Sequence, residues 1–174
     1  MKNLTPAQRP NNDAGYLEMM TAVIFMGGLN RQVVMGKWDG FLRAFDNFDV
    51  DKVALFTPED VERLSQDDSI IRYKAKLQAV VDNAQTMQHL AQEHGSFGNW
   101  LQDTLQSEGV DDTTKAIAQK FKYMSQEGSR RYLYAVGEDV GEMPEKIRMK
   151  YGPASCCVAE EIKRFGVHKV AGGR

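Results

Sequence analysis

Apolar residues recur along this chain at three- and four-residue spacing, and period-two alternation is nearly absent, so helices are expected throughout. Polar punctuation marks where each begins and ends. Asn12 or Asp13 can cap a helix running to about Met26, with Gly27-Gly28 as its exit. Leu29-Asn30 opens a second helix through Phe45, with an apolar stripe of Val33, Val34, Phe41, Leu42 and Phe45. Asp49 caps a short segment carrying Val53, Leu55 and Phe56. Thr57-Pro58-Glu59-Asp60 then combines a Thr cap, Pro at the first helical position and acids in the first turn. Its helix carries Val61 and Leu64 and ends near Gln66.

The longest helix is expected from Ile70 to about His94, capped by Asp68 or Ser69 and closed by Gly95. Ile70, Tyr73, Leu77, Val80, Val81, Ala84, Met87 and Leu90 give it one broad buried face. Ser96 starts the next helix, through Trp100, Leu101 and Leu105, and Gly109 stops it. Thr113 or Thr114 opens another with Ile117, Phe121 and Met124 apolar. A tight turn at Gln126-Glu127-Gly128-Ser129 leads into a helix with Tyr132, Leu133 and Val136, and Met143-Pro144 and Gly152-Pro153 begin two final segments. No internal repeat and no long linker interrupts the series. The expected fold class is all-α, with about eight to ten helices. Residues 1–13 are expected as a flexible N-terminal segment, 14–169 as one helical domain and 170–174 as a tail.

With 174 residues, 42% hydrophobic and 26% charged, the chain can bury a core without disulfides or metal. These values exclude a largely disordered chain, and the longest apolar run is too short to cross a bilayer. Cys156 and Cys157 are adjacent, so no disulfide framework exists and a reducing cytoplasm is expected. Met1 to Asp13 is polar and lacks the apolar core of a signal peptide. A cytoplasmic monomer with no membrane partner follows as the expectation.

Net charge is −2, from 22 basic and 24 acidic residues, which alone gives no hint of a nucleic-acid partner. The sum hides unlike parts. Residues 46–68 hold eight acids and two bases, net −6. Residues 113–131 hold five bases and one acid, and residues 144–174 seven bases and three acids, each net +4. If the two basic segments share a face, the field there attracts phosphate while the acidic side repels it.

From Tyr16 to about Trp100 the pattern becomes more specific than helical spacing. It comprises Leu17-Glu18-Met19, Gly28-Leu29, and Phe41 to Phe48 leading into Asp49-Val50-Asp51-Lys52-Val53-Ala54. Glu59-Asp60-Val61-Glu62-Arg63-Leu64 and the run Ile70 to Ala84 follow. In order and spacing these residues resemble bacterial DNA-3-methyladenine glycosylase I, a base-excision family of the helix-hairpin-helix superfamily. The resemblance fades after about Trp100. It implies a two-lobed helix-hairpin-helix fold that binds double-stranded DNA carrying a modified purine, extrudes that nucleotide and hydrolyses its N-glycosidic bond. A 3-methyladenine base is cationic and leaves readily. The chief demands are then an aromatic pocket, shape selection and one carboxylate near the base or the developing sugar cation.

The chain departs from the family at positions that matter. Where the family places a Glu five residues before its Gly-Leu pair stands Val23, and where it places a Trp two residues after that pair stands Arg31. The family's intervening glutamines are Phe25 and Met26. The family's zinc set needs two Cys and two His drawn from both ends. The N-terminal segment here has neither, and His168 follows the Cys156-Cys157 pair, so no metal and no cofactor are expected.

Candidate site residues follow from these matches. Glu18, just over a turn before Val23, is the candidate catalytic carboxylate, with a structural partner role as its alternative. Asp39 and the Glu138-Asp139 pair are further acids that could reach a cleft. Tyr16, Val23, Phe25, Arg31 and Trp38 form the candidate base pocket, although such aromatics also build cores. In the candidate hairpin, Met124 to Ser129, the residues expected to hold a DNA phosphate are Lys122, Gly128, Ser129, Arg130 and Arg131, with Lys120 beside them. The alternative there is a capped turn with solvated charges. His89, His94 and His168 show no paired ligand spacing, and Ser65, Ser69 and Ser125 lie in no nucleophile motif. Three functions remain open: a DNA N-glycosylase, a catalytically inactive DNA-binding module of the same fold, and a helical interaction protein that does not bind DNA.

Overall fold

A computed structural model describes residues 9–142, and these form helices without strands. In chain order they are α1 (Asp13–Met26), α2 (Arg31–Gly36), α3 (Trp38–Ala44), α4 (Val50–Ala54), α5 (Pro58–Ser65), α6 (Lys74–His94), α7 (Phe97–Lys120) and α8 (Gln126–Ala135). A 3-10 turn, Asp46–Phe48, joins α3 to α4. The segments expected to begin at Met143 and Gly152, together with Cys156, Cys157, His168 and the tail, lie outside the described residues.

α1 is the central element because it has no polar face over its second half. Every residue from Met19 to Met26 is buried, and the helix packs against α2, α4, α6, α7 and α8. Its start is set by Asn12, whose Oδ1 accepts the Gly15 N–H at 3.0 Å. Asp13 in turn accepts the N–H groups of Phe97 and Gly98 and so ties α1 to the first turn of α7. Just before α1, Arg9 pairs with Glu138 at 2.9 Å.

The expected second helix is two helices. Asn30 caps α2 through the N–H groups of Gln32 and Val33, but the backbone breaks at Lys37 (φ −104°, ψ 7°) and restarts as α3. That turn exposes Val33 and lets Trp38, Phe41, Phe45 and Phe48 build one aromatic stack. Trp38 lies over Phe41 at 5.1 Å and over Phe48 at 5.8 Å, and Phe45 continues onto Phe56. Asp46, Asn47 and Phe48 all take positive φ, a left-handed turn that swings the Phe48 ring back onto the stack.

α6 starts at Lys74 rather than Ile70. Residues 70–73 stay outside the helix because Ser69 is held against α3: a Cβ on Gly40 would lie 2.1 Å from the Ser69 carbonyl oxygen. Tyr73, expected on the buried face, is therefore half exposed. Gly109 interrupts α7 as its sequence position predicts, with φ 80° and ψ 176° inside the helical run. The hairpin turn lies earlier than Gln126–Ser129. It occupies 121–125, with Tyr123 at φ 57°, and Ser125 caps α8 by accepting the Gly128 N–H at 2.9 Å. Buried Asn83 on α6 fixes this turn from below, donating to the Lys122 carbonyl and accepting the Lys122 N–H at 2.7 Å.

Candidate functional site

A cleft of about 410 Å³ opens where the C-terminal end of α1 meets the N-terminal end of α8. One wall is Val23, Ile24 and the glycine exit Gly27-Gly28, with Leu29 at the rim. The floor beside it is the first turn of α6, Tyr73 and Lys76. The opposite wall is the hairpin: Tyr123, Ser125, Glu127, Gly128 and Arg131. This volume falls within the ~300–1,000 Å³ typical of small-molecule pockets.

Each wall is held by identifiable bonds. Lys76 is 7% exposed, and its ammonium donates to the Ile24 carbonyl at 2.9 Å and the Gly27 carbonyl at 3.0 Å. It thus satisfies the carbonyl end of α1, where the helix dipole is negative. The same ammonium sits 5.4 Å from the Tyr73 ring centroid and 5.8 Å from that of Phe25, and burial lowers its pKa below the usual lysine value. Tyr73 and Tyr123 meet edge to face at 6.4 Å, both about half exposed. The left-handed backbone of Tyr123 places its ring there, a conformation that costs a non-glycine residue about 1 kcal/mol or more. Across the cleft the walls approach closely: a Cβ on Gly128 would lie 3.9 Å from the Val23 Cγ1.

The residues expected in the base pocket divide accordingly. Val23 lines the cleft, and Gly128 and Arg131, expected at a DNA phosphate, line it from the other side. Tyr16, Phe25 and Trp38 do not. Phe25 is fully buried against Phe41 at 4.8 Å. Tyr16 packs edge-on to Phe97, and its carbonyl accepts the Tyr132 hydroxyl at 3.0 Å. Trp38 is inside the aromatic stack, with Nε1 donating to Glu18 Oε1 at 3.0 Å. Arg31 opens α2 with intermediate exposure and is not among the described lining residues.

Glu18 is accordingly the partner of Trp38, away from the cleft wall. Loss of water on burial pushes its carboxyl up to about 7, against the opposing pull of the Trp38 N–H. Asp39 is exposed on α3. Glu138 binds Arg9 and accepts from Gln102 at 2.6 Å, a structural clamp, while Asp139 accepts the Gly141 N–H.

On the hairpin, Lys120 and Lys122 are exposed. Ser129 faces inward, fully buried, and its hydroxyl donates to the Ser125 carbonyl at 2.7 Å. Arg130 is held by Asp111 and by the Val140 carbonyl. Among the described residues no three His, Cys, Asp or Glu side chains are grouped to hold a metal ion, and no helix is long and apolar enough to cross a membrane.

Sequence reasoning missed Lys76, Tyr73, Tyr123 and Glu127 as cleft residues. Tyr73 carried the signal of a core position, and Lys76 that of a polar one. Glu127, assigned to a turn, carried none.

The frame is all-helical, and its cleft separates the buried C-terminal half of α1 from the first turn of α8. The sequence pattern of the family described as methyladenine glycosylase matches residues 7–133, and the chain belongs to that family. A curated relative, DNA-3-methyladenine glycosylase 1 of Escherichia coli, is 37% identical over 93 residues, which are 53% of this chain and 50% of the relative. The chain therefore spans about half the length of that protein. Among solved structures, a 3-methyladenine DNA glycosylase I superposes with a TM-score of 0.66 at 24% identity, covering 75% of this chain and 81% of the other. The Staphylococcus aureus enzyme, described for its recognition of 3-methyladenine, gives 0.68 at 22% identity, covering 78% and 81%. These two likenesses are of fold.

Proposed function

We propose that the protein is a DNA glycosylase that extrudes a modified purine nucleotide from duplex DNA and hydrolyses its N-glycosidic bond. The observation that carries this reading is the cleft itself. It is lined by Val23, expected in the base pocket, and by Gly128, expected at a DNA phosphate, and it presents two partly exposed tyrosines on which a base can stack. Exposed Leu29 at the rim supplies an apolar side chain to occupy the gap that an extruded nucleotide leaves in the stack. In the reaction the C1′–N bond breaks with its electron pair on the base. Water adds to C1′, and its proton passes to solvent. For an alkylated, cationic purine the departing base becomes neutral, so the pocket's task is to extrude, orient and hold it.

Purified protein incubated with methylated duplex DNA is expected to release free base well above a heat-killed control, measured by chromatography. No release above that control overturns the catalytic reading. A second reading, a DNA-binding module without chemistry, draws on one observation: the α1 wall of the cleft is apolar Val23. It predicts salt-sensitive duplex binding with no base released.

A further inference from the structure

The cleft contains one acid whose role is unassigned. Glu127 is the second residue of α8, and it is the only acid among the described lining residues. Its Oε1 is buried and has no hydrogen-bond partner among the described residues. A buried carboxylate oxygen without a donor is a costly state, and a ligand that brings a donor relieves it. The rest of the cleft can accommodate such a ligand. Val23 and the tyrosine rings offer flat apolar contact, and Lys76 is occupied by the α1 carbonyls. No acid from α1 competes, because Glu18 is held by Trp38.

We propose that Glu127 is the base-binding carboxylate of this protein, accepting an N–H from the amino edge of the extruded purine. The inference rests on the glycosylase reading and adds a specificity to it. A purine with a 6-amino group supplies the donor that Oε1 lacks, whereas a 6-oxo group sets oxygen against oxygen. Adenine-type alkylated bases are therefore preferred over hypoxanthine.

The test compares the wild type with Glu127→Gln and with Glu59→Gln, the same change in the exposed first turn of α5. Three quantities are measured: single-turnover release of 3-methyladenine from methylated duplex, binding of free 3-methyladenine by intrinsic fluorescence, and affinity for undamaged duplex. Glu127→Gln is expected to lower both release and free-base binding by about 10- to 100-fold, the loss of one charge-assisted hydrogen bond, with undamaged-duplex affinity within twofold. Glu59→Gln is expected to match the wild type throughout. If Glu127→Gln lowers Tm by several degrees, Glu127→Asp carries the test, since it keeps the first-turn charge and withdraws the oxygens by one carbon.

Release and free-base binding within twofold of wild type in Glu127→Gln overturn the inference and leave the glycosylase reading standing. A wild type that binds free base, loses it in Glu127→Gln and releases nothing from DNA overturns the glycosylase reading but supports the carboxylate's role. A wild type that neither binds nor releases the base overturns both.

Discussion

At Glu18 the carboxyl loses water when α1 packs into the core, and the Trp38 indole N–H donates to it at 3.0 Å. Burial raises its pKa from 4.5 to about 7, so the folded state holds the proton more tightly than the unfolded one. The sign follows directly. This contribution to stability is complete below pH 4.5 and is lost as pH rises through about 7, amounting to about 3 kcal/mol at most. Glu18→Gln keeps an oxygen for the Trp38 N–H and removes the ionisation. It is expected to raise Tm at pH 8, to leave Tm near wild type at pH 4.5, and to leave base release within about threefold. Thermal unfolding of both proteins across pH 4–9 checks this, and a parallel pH dependence in the two sinks it. Glu18 also shows where sequence reading stops at this scale. Its match to a family position was legible, but its commitment to Trp38, 20 positions away, depends on a packing arrangement that no local pattern encodes.

Helix starts were legible at most positions where the capping side chain is local, although Ser125, which caps α8 locally, was read as part of a turn. Asn12, Asn30, Asp49, Thr57 and Ser96 all cap with their own side chains, each within three residues of the N–H they bind. The start of α6 has no side-chain cap: residues 70–73 are kept out of the helix by the seat of Ser69 on Gly40, which is a contact between segments. The hairpin turn was displaced for a similar reason. Tyr123 adopts a left-handed backbone without being glycine, held by Asn83 from α6. Two glycines in adjacent helices test this account. Propensity alone favours alanine over glycine inside a helix by about 1 kcal/mol. At Gly36, where a Cβ meets nothing within 4 Å, Ala is expected to stabilise by about 0.5–1 kcal/mol. At Gly40 the Cβ would strike the Ser69 backbone, so Ala is expected to destabilise by about 2 kcal/mol or more, a Tm fall of roughly 4–8 °C. Urea unfolding of the two variants measures both signs, and a stabilising Gly40→Ala would show that the α3–Ser69 contact is not what delays α6.

Across the whole molecule, formal charge and available charge differ. The hairpin segment 113–131 counts net +4, but Lys115 pairs with Asp112 at 2.8 Å, Arg130 is held by Asp111, and Arg131 is 5% exposed in the cleft wall. The described cations it presents to solvent beside the cleft are thus Lys120 and Lys122. The acids of 46–68 lie on and around α4 and α5, which pack on α6, while α8 packs on α7 and α1. A duplex approaching the hairpin meets positive charge there, and one approaching α4 and α5 is repelled. Binding through so few phosphate contacts is expected to be modest and steeply salt-dependent. Each neutralised phosphate contributes about −0.9 to the slope of log K against log salt. Replacing both Lys120 and Lys122 by Glu is therefore expected to flatten that slope by about 2 and to weaken undamaged duplexes of any sequence alike. Lys52→Glu on α4 is expected to change neither quantity. Fluorescence anisotropy between about 50 and 200 mM salt reads the slope directly. If the double variant keeps the wild-type slope, the duplex lies on another face, and the cleft between Val23 and Gly128 cannot receive a base from it. If the slope falls and release from methylated DNA falls with it, the hairpin holds the phosphates while the cleft holds the base.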